Sequence, residues 1–340
     1  MKKVTILVSL LLVAAFLLAA CNGGATETTE APPPEEAAKP FKVAVVMPSK
    51  INDLAFSQSM YDALVAIQNE MGGDKFEFVY TDGMFVVEDA AAALRDYASQ
   101  GYNLVIAHGS QYGSSLVEIA PDFPETSFAW GTTVDTFADK GVTNVFAYEA
   151  RSEEGGYVNG VMAAMLSTSN VIGVVGPIET GDAKLYVDGF KAGVAATKPE
   201  VQVNVNWTGS FSDVALASEA AQTHINAGAD GLTGTAQMVV GAVGVAKEKG
   251  VPWFATQSNQ DSLASDIVVA SQVYKWEVVL KQIIDLINQG TLGGQSFEID
   301  LANKGEVIEY NPGYALPDDV KAAAEAAIKG IIDGTVKPLP

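Results

Sequence analysis

The sequence predicts an α/β protein made of two doubly wound lobes, joined by a hinge, with a ligand cleft between them. Two observations carry that fold class. Short apolar runs of strand length alternate with amphipathic helical runs from residue 41 to about residue 333. The alternation also comes as two similar arrays in succession, with no long unstructured insert between them. A third observation is size: about 300 residues follow the N-terminal forty, ample for two ordinary domains. One very large sheet is the alternative, and open twisted sheets rarely grow so wide.

The chain starts with Met1-Lys2-Lys3, an apolar run over Val4–Ala20, and then Cys21. A basic start, a short apolar stretch and small residues before a cut site make a secretion signal, residues 1–20. Leu18-Ala19-Ala20-Cys21 is similar to a lipoprotein lipobox, which makes Cys21 the lipidation site and the link to the membrane. The apolar run is at the short edge for an uncleaved spanning helix. Cys21 is the only cysteine, so no intramolecular disulfide can form. Residues 21–40 are acidic, rich in Thr and Pro and almost free of large apolar groups. Such a stretch cannot bury enough surface to fold and reads as a tether.

The elements follow in order. Phe41–Met47 (FKVAVVM) reads as a buried strand, and Met60, Leu64 and Ile67 mark the helix after it. Phe76–Thr81 is a strand, Val86–Gln100 an amphipathic helix, Asn103–Ala107 a strand, and Ser110–Ile119 a loop and helix. Ser127–Trp130 and Asn144–Tyr148 complete the first set of strands, and Glu153–Leu166 is a long helix. The second array has strands at Val171–Val175, Val201–Asn206, Gly231–Thr235, Pro252–Ala255 and Ile267–Ser271. Its helices are Asp182–Ala196, Asp213–Asn226, Val239–Lys249 and Lys275–Gln289. Short strands at Ser296–Asp300 and Glu306–Tyr310 precede a helix that Pro317 opens and that runs to Asp333.

The formal charge is −21, and without Lys2 and Lys3 of the leader it is −23. Only two arginines occur, Arg95 and Arg151. Nucleic acid needs a basic patch, so it is not a partner. Phosphate and carboxylate ligands are disfavoured for want of bidentate Arg. The cargo is therefore expected to be neutral.

Pro48–Gln58 is the loop that organises the chain. It leaves the first strand at the carboxyl edge of the sheet, where open α/β folds bind ligands. It carries Asn52, Asp53, Phe56 and Ser57, a face to stack on and groups to read the edge of a flat polar ring. The competing structural role is an N-cap at Asn52 or Asp53 with Phe56 facing the core.

Five segments in order resemble the basic membrane protein family of ABC-transporter substrate-binding lipoproteins, which take up purine nucleosides or bases. They are Asn52-Asp53-Leu54-Ala55-Phe56-Ser57, the stretch Glu149–Gly160, Asp188-Gly189-Phe190-Lys191-Ala192-Gly193, Gly209-Ser210-Phe211-Ser212-Asp213 and Ala246–Val251. The resemblance spans nearly the whole body. It implies the type I periplasmic-binding-protein fold, with residues 41–147 and about 275–304 in lobe 1 and residues 148–274 and about 305–340 in lobe 2. It implies that Phe56 and Phe211 sandwich the base, and that Asp53, Ser57 and the loop at His108-Gly109-Ser110 read its edge. Nucleoside-binding members place an Asp where this chain has Gln257 and a Lys where it has Tyr274, and those two grip the ribose. Both replacements are neutral. With Trp276, and Trp207 near the facing loop, they favour a free purine base over a nucleoside. Lys275 lies one position past the family Lys, so a shift of one residue would restore the nucleoside reading. The implied partners are the purine, an ABC permease with its ATPase, and the membrane through Cys21. The chain would be monomeric, lipid-anchored on the extracytoplasmic face, and without a cofactor.

Catalytic motifs are missing. Gly176–Lys184 follows a strand and opens a helix, but its lysine is late for a phosphate loop and Asp182 would repel phosphate. Ala107-His108-Gly109-Ser110-Gln111 lacks the second glycine of an esterase elbow. His108 and His224 fall on different units and Cys21 is committed, which leaves no zinc set. A binding protein that is not an enzyme is thus expected. The alternatives are a nucleoside or sugar binder of the same fold, a surface hydrolase, or a sensor subunit that presents its ligand to a receptor.

Overall fold

The computed structural model describes residues 39–340. The secretion leader, Cys21 and nearly all of the tether lie outside the described residues. Within them are two six-stranded sheets. The first contains β1 (Phe41–Val46), β2 (Phe76–Thr81), β3 (Leu104–His108), β4 (Ser127–Gly131), β5 (Val145–Ala150) and β11 (Ser296–Ile299). Its spatial order is β11-β5-β4-β3-β1-β2, and every pair is parallel. The second contains β6 (Val171–Gly176), β7 (Gln202–Trp207), β8 (Leu232–Gly234), β9 (Trp253–Ala255), β10 (Val268–Tyr274) and β12 (Glu306–Tyr310). Its order, β12-β10-β9-β8-β6-β7, repeats that of the first sheet, with β12 antiparallel at the edge.

Helices cover both faces of each sheet, which is why the central strands are apolar throughout rather than alternating. In the first lobe α1 (Phe56–Met71) and α8 (Glu277–Asn288) pack one face through Met60, Leu64, Ile67, Val279, Leu280 and Ile283. On the other face lie α2 (Val87–Ser99) and α3 (Gly113–Ile119), with Ala90, Leu94 and Leu116 buried. In the second lobe α4 (Ser152–Leu166), α5 (Gly181–Thr197) and α9 (Asp318–Ile332) cover one face. The other belongs to α6 (Val214–Asn226) and α7 (Val239–Lys249).

The elements read from periodicity are present and their bounds differ by a residue or two. The exception is β10, which continues past Ser271 through Gln272 and Val273 to Tyr274. The extension is non-local in origin: β12 pairs antiparallel along Ala270–Tyr274.

The chain passes between the lobes three times, and the three passages lie side by side. The first joins β5 to α4, the second β10 to α8, and the third β11 to β12. They are tied together by backbone hydrogen bonds from Arg151 to Ile299 (2.9 Å) and from Lys275 to Gly305 (2.7 Å). Tyr274 and Ser152 also share a hydroxyl–hydroxyl bond of 2.7 Å. Among the described residues no helix is long and apolar enough to cross a membrane.

Candidate functional site

In both sheets the strand order reverses direction between the first and third strands, β1/β3 and β6/β8. Loops leaving such strands diverge and open a crevice at the carboxyl edge. The two crevices meet in one cavity. From the first lobe come Pro48 and Phe56 after β1, Phe85 after β2, Gly109, Ser110 and Gln111 after β3, and Thr132 after β4. From the second come Asp182 and Ala183 after β6, Phe211 after β7, Ala236 and Gln237 after β8, and Gln257 after β9. About 440 Å³ of space lies between these walls, mouth included.

Phe56 is held from behind. His108 stacks on it with ring centroids 3.8 Å apart and planes 9° from parallel. Tyr148 continues the column beyond His108, at 6.0 Å and 10°. The Phe56 carbonyl can only accept, so His108 Nε2–H donates to it (3.1 Å). Nδ1 then accepts from the Tyr148 hydroxyl (2.8 Å). The imidazole is wholly buried, and burial pushes its pKa down to about 3. It is a neutral plate under Phe56, and it does not line the cavity.

Trp276 supports the same column. It is fully buried and meets His108, Tyr148 and Tyr274 edge-on at 5.2–5.8 Å. Its indole N–H donates to Ser59 Oγ (2.9 Å). The ring belongs to the first lobe's core because α8 returns to that lobe. Tyr274 is also buried, its hydroxyl committed to Ser152 at the passage between lobes. Lys275 pairs with Glu309 at 3.1 Å. Neither residue is among the cavity walls.

Asp53 and Ser57 are consumed by their own loop. Asp53 accepts from the N–H groups of Ala55 (2.8 Å), Ser57 (3.1 Å) and Gln58 (3.1 Å) and from the Ser49 hydroxyl (2.5 Å). Ser57 Oγ accepts from the Ser49 N–H and shares a 2.6 Å bond with the Ser49 hydroxyl. Burial raises the Asp53 pKa, and the bonds from Ser49, Ala55, Gln58 and Ser57 oppose the rise. Both residues thus fix the entry into α1, so that Phe56 starts the helix facing the cavity. Trp207 is half-buried over Gly176, where a Cβ would meet its ring at 2.4 Å, and packs on the second lobe's core.

Of the residues singled out in the sequence, Phe56, Gly109, Ser110, Phe211 and Gln257 line the cavity together. Asp53, Ser57, His108, Tyr274, Trp207 and Trp276 stand behind or beside it. Phe85, Thr132, Asp182 and Gln237 line it without having been singled out as ligand contacts. Asp182 figures in the sequence only as the charge that rules out phosphate. The signal for it is positional: it opens a helix after the first strand of its array, as Phe56 does in the other. Burial raises its pKa, and the nearby Thr132 hydroxyl, its own backbone N–H, the Gln257 side chain and the Ala183 N–H oppose the rise; of these only Thr132, at 3.4 Å, is in hydrogen-bond geometry with it. Gln257 and Ala236 hold φ of +68° and +75°, strained backbone of the kind that gathers at ligand sites.

The Bmp family model, described as ABC transporter substrate-binding protein PnrA-like, matches residues 41–335. A purine-binding protein of Brucella abortus is 28% identical over 266 residues, covering 78% of this chain and 74% of that one. An ABC transporter nucleoside-binding protein of Lactococcus lactis is 24% identical over 320 residues, covering 87% and 88%. Among solved structures, an ABC transporter solute-binding protein from Conexibacter woesei superposes with a TM-score of 0.71 at 22% identity. It covers 88% of this chain and 98% of that one, and at this identity it speaks to the fold alone.

Proposed function

Since the chain belongs to the Bmp family of PnrA-like ABC-transporter substrate-binding proteins, we propose that it captures a neutral purine between its lobes and hands it to a permease. The observation that carries this is the pair of phenylalanines on opposite walls of one cavity, Phe56 from the first lobe and Phe211 from the second. A flat ring between them gains offset stacking of about 0.5–1.5 kcal/mol per aromatic pair beyond its buried area. Phe56 is pre-set for that role by the His108 column, so little is spent on ordering it. Gln257 contacts the ring edge, while Asp53, Ser57, His108 and Trp276 hold the contacting groups in position.

The free base is favoured over the nucleoside. Support comes from the neutral Gln257 at the cavity wall and from Tyr274, whose hydroxyl is already engaged by Ser152. Neither supplies the charged grip on ribose expected of nucleoside binders. Substrate-binding proteins of ABC importers work outside the cytoplasm, and the mature chain is held at the membrane through a lipid on Cys21. A Cys21→Ala variant released from the membrane fraction would support that anchor, and one still retained there would remove it.

The test is calorimetric titration of the purified protein, unfolded and refolded to strip carried ligand, against adenine, guanine, hypoxanthine, their ribonucleosides, uridine and ribose. Tight binding of a base, with its nucleoside weaker, is the expected result. Tighter nucleosides would reverse the order of preference, and silence across the panel would end the purine reading.

A further inference from the structure

The cavity has an unbalanced polar lining. Asp182 Oδ2, Gln257 Oε1 and Gln237 Oε1 are all buried and have no hydrogen-bond partner, and all three residues line the cavity. Each is an acceptor. Eight further buried side-chain oxygens among the described residues also lack partners, on Ser127, Glu153, Asn159, Asn170, Asp261, Gln272, Glu306 and Tyr310, but they are scattered and do not line the cavity. Buried acceptors are ordinarily satisfied, so three on one cavity wall ask for a ligand that brings donors. The two glutamines could turn their amides over and present N–H instead. Asp182 has no amide to turn over, and as a carboxylate it only accepts. Its other oxygen, Oδ1, is 3.4 Å from the Thr132 hydroxyl of the facing lobe. Asp182 therefore borders the cavity while sitting at the seam between lobes.

We propose that Asp182 is the specificity-determining residue and selects a purine edge that carries two adjacent N–H donors, the guanine pattern of ring N–H beside an exocyclic amine. This rests on the purine reading above. An adenine edge alternates an amine donor with a ring-nitrogen acceptor, and that lone pair would face the carboxylate. Hypoxanthine offers the ring N–H but lacks the neighbouring amine. Gln237 and Gln257, on the same cavity wall, can accept the remaining N–H of the amine.

The experiment measures dissociation constants of guanine, hypoxanthine and adenine for the wild-type chain and for Asp182→Asn, both stripped of carried ligand. Sites built around a hydrogen bond discriminate strongly against ligands that lack its partner, and we expect guanine to bind the wild type at least ~10-fold tighter than hypoxanthine and ~100-fold tighter than adenine. Asp182→Asn, whose amide both donates and accepts, should lose most of the guanine advantage and bind adenine as well or better. A wild type that prefers adenine or hypoxanthine overturns the inference without any variant having to fold. So does an Asn variant that keeps the full guanine preference. Both of those outcomes leave purine capture standing, whereas a wild type that binds no purine removes the purine reading and this inference together.

Discussion

At the scale of single residues, the site depends on which side chains are neutral and which are charged. His108 is buried against Phe56 and Tyr148 with its folded pKa near 3, while the unfolded chain titrates near 6.5. Between those values the unfolded state binds a proton that the folded state refuses. Stability is therefore fully present above about pH 6.5 and falls as pH drops toward 3. Carboxylates contribute their own slopes, so the informative quantity is the difference between wild type and His108→Gln. From pH 6.5 to 4.5 the wild type should lose about 2–3 kcal/mol more unfolding free energy than the variant. Denaturant titrations at the two pH values measure this, and parallel losses would show that His108 is charged in the fold. Asp53 and Asp182 make the complementary pair: both are acids beside a helix start, yet one has four hydrogen bonds and the other leaves an oxygen bare to the cavity.

At the scale of elements, the helix pair α4 and α5 shows why particular glycines are needed. A Cβ on Gly193 would stand 2.1 Å from the Tyr157 carbonyl oxygen, and one on Gly160 would stand 2.2 Å from that of Phe190. The two backbones touch, and no side chain can move aside. Alanine has the higher helix propensity by about 1 kcal/mol, so propensity alone predicts that Gly193→Ala stabilises. The clash decides otherwise: overpacking costs about 1–3 kcal/mol or more when backbone must shift. Thermal or denaturant unfolding of Gly193→Ala should show a net loss, and an unchanged or raised midpoint would mean that the helices can slide apart. Because α4 begins at the passage out of the first lobe, moving it would also shift the second wall of the cavity.

For the whole molecule, the proposed capture makes binding and closure one equilibrium. The cavity draws residues from both sheets, so a ligand seated in it makes contacts that an open form cannot offer. Side-chain hydrogen bonds cross the seam from Thr132 to Asp182 at 3.4 Å and from Gln260 Nε2 to the Leu54 carbonyl at 3.0 Å. A purine at one hundred times its dissociation constant should raise unfolding free energy by about 2.7 kcal/mol. Thermal melts across a ligand series should climb with the logarithm of concentration, alongside a smaller radius of gyration in X-ray scattering. A melting shift with no compaction would mean that the lobes are already closed when empty.

The fold was legible because its determinants are local. Apolar runs of strand and helix length, turn residues and a twofold array lie within short windows, and burial on both sheet faces requires them. The two phenylalanines that line the cavity were legible for a related reason: each follows a strand at the edge where every such sheet opens. The polar half of the site was not. Whether Asp53 faces ligand or caps a helix is settled by the Ser49 hydroxyl and the N–H groups of α1, and whether Asp182 lines the cavity is settled by how the second sheet meets the first. Trp276 belongs to the core because α8 crosses back to pack beside Ser59, 217 residues earlier in the chain. Hydrophobic periodicity is a property of neighbours in sequence. The direction and the partners of a polar side chain belong to neighbours in space, and those exist only once the strands have been ordered and the lobes brought together.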